Sequence, residues 1–107
     1  GSTNVIFEGI VTDENGNAIP GIKVTSNYST TKSKDNGYFQ VLAYFPIDEN
    51  STTITFIDID GEENGSFATK EVVNSKPDDY SPSLIFPGEG SQDEMLIDIG
   101  KVTLNNK

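Results

Sequence analysis

A chain of 107 residues has room for one domain and not for two. Its 17 acidic residues against 7 basic ones give a net charge of −10, a surface that repels phosphate backbones and anionic lipid headgroups, so nucleic acid is excluded as a partner. It contains neither Cys nor His, which removes disulfides, Cys-based zinc sites and thiol nucleophiles, together with the commonest general base and transition-metal ligand.

Gly1-Ser2 is the dipeptide that cloning leaves behind, so the domain is expected over residues 3–107, and the missing leader carries no information. From there the apolar residues recur with period two, the spacing of half-buried strands. The first strand is expected over 5–12. The turn that follows is built on Asn15-Gly16, with a second bend at Pro20-Gly21. A strand over 22–28 comes next, then a polar connection over 29–34 and a turn at Asn36-Gly37. Residues 38–44 alternate with Phe39, Val41 and Ala43 on one face. Residues 53–59 are strongly β-branched.

An acidic loop follows over 60–65, and then a strand over 67–73. Residues 74–94 hold Pro77, Pro82 and Pro87 and are expected as one long loop, with a short strand over 83–86 inside it. The last strand spans 95–104, with Gly100 marking a bulge. No helix is encoded. About seven short strands at this spacing indicate an all-β fold, a single antiparallel β-sandwich. Its two sheets are expected to bury Val5, Phe7, Val11, Val24, Phe39, Val41, Ile54, Phe56, Val102 and Leu104.

Two stretches carry a resemblance. Gly9-Ile10-Val11-Thr12-Asp13-Glu14-Asn15-Gly16-Asn17-Ala18-Ile19-Pro20-Gly21-Ile22-Lys23-Val24, followed by Thr31-Lys32-Ser33-Lys34-Asp35-Asn36-Gly37-Tyr38-Phe39, resembles the opening of carboxypeptidase-regulatory-like domains. The chain departs from that pattern at Ala18-Ile19-Pro20, where Pro before Ile or Leu is usual. The resemblance implies a transthyretin-like (prealbumin-like) sandwich with Greek-key topology. Its residues are those of turns and core, and carry no chemistry.

Farther on, residues 56–65 and Phe67-Ala68-Thr69-Lys70 are similar to envelope lipoproteins of Gram-negative gut anaerobes, often described as associated with radical SAM enzymes. That similarity implies an exported protein of the outer membrane or periplasm, held by a lipid anchor upstream of residue 3. It implies no established activity.

Among candidate sites, the acidic loop comes first. Asp58 and Asp60 leave their strand on the same side, roughly 7 Å apart at Cα. With Glu62 and Asn64 they offer oxygens to a hard cation such as calcium. Asp60, Glu62, Asn64, Gly65 and Glu71 also follow EF-hand spacing, but the flanks are strand sequence and not helices. The alternative for this loop is a solvated turn. The carboxylate pairs Asp58/Asp60, Asp78/Asp79 and Asp93/Glu94 suit glycoside hydrolysis only in a cleft that the sequence does not suggest. Tyr28, Tyr38, Tyr44 and Tyr80 offer either sugar-stacking surface or sheet packing, with Tyr38 and Tyr44 on one face of their strand.

The function expected is that of a non-enzymatic structural or protein-interaction module. The alternative is calcium or carbohydrate binding by residues 58–65 and 74–94.

Overall fold

In each strand the period-two pattern sends one row of side chains inward and the other outward. The computed structural model describes residues 4–46, 48–59, 65–78 and 95–107. Among them lie β1 (Asn4–Thr12), β2 (Ile22–Thr25), β3 (Thr30–Lys32), β4 (Tyr38–Tyr44), β5 (Ser51–Asp58), β6 (Lys70–Ser75) and β7 (Met95–Thr103), and no helix. Two sheets form, ordered β4-β1-β7 and β3-β2-β5-β6. The chain is an all-β sandwich.

All ten residues expected in the core are buried, joined by Ile19, Ile22, Ala43, Phe45 and Phe67. Phe39 of β4 meets Phe56 of β5 edge to face, with ring centroids 5.2 Å apart, so this contact joins the two sheets. Phe7 and Phe45 form a second edge-on pair at 6.2 Å. Each such ring contributes roughly 1.5–3 kcal/mol on burial, which makes the inward rows the main source of stability.

Several boundaries differ from the sequence reading. The second strand ends at Thr25, because residues 26–29 turn back on themselves through a Ser26 N–H to Ser29 carbonyl bond of 2.9 Å. The polar connection over 29–34 contains β3, which pairs with β2. The strand expected from residue 67 starts at Lys70, since Phe67 turns into the core and only bridges to Asn106. Asn74 and Ser75 belong to β6 and not to the long loop. The short strand expected over 83–86 lies outside the described residues.

The antiparallel expectation holds for four of the strand pairs and fails for one: β1 and β7 run parallel. Parallel neighbours need a long crossover. Here the whole of the intervening chain supplies it, because the first and last strands are the ones that meet. The bulge expected at Gly100 is present. Glu8 pairs with Asp98 and Gly9 with Gly100, so Ile99 has no partner on β1. Gly100 takes φ +74°, a left-handed conformation that suits glycine, and its N–H donates to Asp98 Oδ1 at 2.8 Å. Opposite it, a Cβ on Gly9 would lie 2.4 Å from the Gly100 carbonyl oxygen and 3.0 Å from the Phe39 ring, so the strands approach this closely only over a glycine.

The two sheets are also tied at the sides. Lys70 Nζ donates to the Thr103 carbonyl at 2.9 Å, and the Ala68 N–H donates to Asn105 at 2.9 Å. At the far edge of β4 the side chains of residues 27 and 29 stand in for a neighbouring strand. Ser29 Oγ accepts the Leu42 N–H at 3.0 Å and donates to the Leu42 carbonyl at 2.9 Å. The Asn27 side-chain amide likewise donates to the Tyr44 carbonyl at 2.9 Å and accepts its N–H at 3.3 Å. This covers polar backbone that an edge strand otherwise offers to another chain.

Candidate functional site

Of the four candidate metal ligands, Asp58 lies within the described residues; Asp60, Glu62 and Asn64 lie outside them. Asp58 ends β5 on the inward row, opposite Ile22 and two residues after Phe56. It is half-buried, and its Oδ2 accepts the Phe67 N–H at 2.9 Å. This carboxylate therefore fastens the chain entering the acidic loop to the chain leaving it. Among the described residues no three metal-ligating side chains converge. Of the other carboxylate pairs, Asp79, Asp93 and Glu94 fall outside the described residues, as does Tyr80.

The remaining tyrosines lead to a different place. Tyr38 and Tyr44 both stand on the outward row of β4, and the exposed Tyr28 packs edge-on against Tyr44 at 6.3 Å. Register across the sheet builds three outward rows. Leu42, Ile6 and Leu96 form the first, Gln40, Glu8 and Asp98 the second, and Tyr38, Ile10 and Lys101 the third. Leu96 is 57% exposed and Ile10 39% exposed, high values for large apolar side chains lying side by side with others.

Between the second and third rows lies a recess of about 200 Å³. Its floor includes Gly9, Gly100 and Ile10, and its rim carries Glu8, Asp98, Tyr38 and Lys101. Gly100, where a Cβ would stand in open space, leaves the floor without bulk. The Tyr38 hydroxyl donates to Glu8 Oε2 at 2.8 Å. That bond, then partial desolvation and the negative charges of Glu8 and Asp98, raise the phenol above its ordinary value of 10.0. Lys34 Nζ sits 5.7 Å above the centre of the Tyr38 ring, within cation–π reach.

Alternation along β4 places Tyr38 and Tyr44 on one face, but nothing in the sequence alone singles out Glu8, Asp98 or Lys101. Only the parallel register of β1 and β7 brings those three together. The single signal available beforehand was Gly100 interrupting a strand.

The opposite outer face is different. There the register sets Thr30, Thr25, Thr55 and Glu71 in one row, Lys32, Lys23 and Ile57 in a second, and Thr53 with the 64% exposed Val73 in a third, so its apolar side chains stand apart. Thr25 Oγ1 and Thr30 Oγ1 are hydrogen-bonded at 2.9 Å.

No protein-family model matches the chain, and no curated protein matches it. Among solved structures it is similar to the crystal structure of 3-chlorocatechol 1,2-dioxygenase from Rhodococcus opacus 1CP, with a TM-score of 0.54 and 14% identity. The match covers 100% of this chain and 62% of that one. At this identity the likeness is one of fold, and it agrees with an all-β sandwich.

Proposed function

We propose that the chain is a non-enzymatic interaction module of an exported, lipid-anchored envelope protein, and that it binds a protein partner through the outward face of β4-β1-β7. The observation that carries this reading is the contiguous apolar row of half-buried Leu42 and Ile6 and exposed Leu96, beside a recess, on a chain otherwise strongly acidic. Protein interfaces place such apolar centres inside a polar rim. The envelope setting is supported by the similarity of residues 56–65 and 67–70 to anchored lipoproteins. The non-enzymatic reading is supported by the absence of His and Cys from the sequence.

A photoreactive residue placed at Leu96, and separately at Thr53 on the other outer face, tests the proposal in intact cells that carry the anchored protein. A discrete crosslinked protein is expected from position 96 and not from position 53. Equal yields from both positions, or none from either, would overturn it.

A further inference from the structure

We infer that the partner presents a basic segment, and that one arginine side chain of it seats in the recess between Glu8 and Asp98. This deepens the proposed function and rests on the outward face of β4-β1-β7 being the binding surface. Glu8 and Asp98 stand in one register row on adjacent parallel strands, about 5 Å apart at Cα, and point to the same side of the sheet. Each carboxylate has one oxygen engaged within the fold. Glu8 Oε2 receives the Tyr38 hydroxyl, and Asp98 Oδ1 receives the Gly100 N–H. Those bonds orient the two carboxylates beside a floor that includes Gly9, Gly100 and Ile10.

The shape and lining decide between kinds of cation. Calcium takes six to eight oxygens, and no three metal-ligating side chains meet here among the described residues. A guanidinium needs less. It is planar and weakly hydrated, pairs with carboxylates through a fork of N–H donors and tolerates aromatic and apolar walls. A recess of about 200 Å³ with two carboxylates, a tyrosine ring and an isoleucine meets those needs. The row of Leu42, Ile6 and Leu96 lies next to it, so apolar neighbours of the arginine have a surface to cover. The net charge of −10 steers basic partners toward the chain at long range. Two lysines work against the arrangement: Lys101 lines the same recess, and Lys34 Nζ already stands over the Tyr38 ring.

The test uses blocked arginine (N-acetyl-arginine amide) titrated into the isotopically labelled chain, with amide NMR shifts as the readout. Shifts are expected to cluster at Gly9, Ile10, Gly100 and Lys101 and to shrink as salt is added. The double variant E8Q/D98N is expected to weaken binding roughly tenfold while keeping a well-dispersed spectrum. K101Q is expected to strengthen it severalfold, an effect that a merely structural role for the recess would not produce. Shifts scattered over the acidic surface, or unchanged in E8Q/D98N, would overturn the inference. If crosslinking from position 96 succeeds while these shifts scatter, the arginine assignment fails and the binding face stands. If position 96 yields nothing, the binding face itself fails.

Discussion

On the outer face of β3-β2-β5-β6 the apolar side chains stand singly, Ile57 beside Lys23 and the 64% exposed Val73 beside Thr53, whereas on the outer face of β4-β1-β7 the same alternation sets Leu42, Ile6 and Leu96 in one row next to paired carboxylates. The inner rows of β1, β2, β4 and most of β5 are buried and those of β6 and most of β7 half-buried, and in neither sheet does that burial dictate the outer row. Threonine satisfies β propensity and water at once, and threonines and lysines separate the single apolar side chains of the first face. A contiguous row of leucine and isoleucine that ends in the exposed Leu96 costs solubility, and this difference in arrangement between two faces of one domain is what points to a partner for the second.

The largest effect comes from testing whether outer rows really are free of folding constraint. Phe56→Ala removes the ring that meets Phe39 across the sandwich and is expected to cost about 3–5 kcal/mol in denaturant unfolding. Leu96→Ser, on the outward row, is expected to change stability by no more than about 0.5 kcal/mol. A loss at Leu96 approaching that at Phe56 would mean that Leu96 is a packing residue, and the comparison of the two faces would break.

The inner rows were legible in the sequence because burial demands strict alternation, and all ten core residues named from it are buried. Phe45, Ile19 and Phe67 were not legible, since each reaches the core from outside the strands, where no period announces it. β3 escaped for a related reason. Its three residues, Thr30 to Lys32, are an edge strand with no buried row. The recess was hidden most deeply. Glu8 and Asp98 are far apart in the chain, and alternation within a strand says nothing about which strand lies beside it or in which direction it runs. Asp58, by contrast, was singled out for its neighbours in sequence, and the structure shows its carboxylate holding Phe67.

A smaller effect is expected at the edge of β4, which sharpens the comparison by asking whether the three-stranded sheet is guarded at its side as well as open on its face. Ser29→Ala removes both of its hydrogen bonds to Leu42 and uncovers the backbone N–H at a sheet edge, while the carbonyl keeps the hydroxyl of Ser26. A cost of about 1 kcal/mol is expected, with concentration-dependent self-association visible by analytical ultracentrifugation. Unchanged stability together with a monomer at all concentrations would mean that the serine does not guard this edge.

The smallest effect separates the two faces by pH. The Tyr38 phenol is raised because its hydroxyl donates to Glu8, is partly desolvated and lies near two carboxylates, all of which disfavour the phenolate. A group whose folded value lies above its unfolded one contributes stability that is fully present below the unfolded value. That contribution is lost as pH rises from the unfolded value, close to 10.0, through the folded one. Stability should therefore fall in this alkaline window, and Tyr38→Phe should remove part of the fall while leaving the neutral and acidic limbs unchanged. Glu8→Gln should lower the Tyr38 value, as read from phenolate absorbance, because the charge and its stronger hydrogen bond go together. Thr25→Val on the other face removes a hydroxyl pair that does not titrate in this range, so its alkaline limb should follow the parent chain. If Tyr38→Phe also follows the parent, the bond to Glu8 is not maintained in solution, and the carboxylate row would have to be oriented by Gly100 alone.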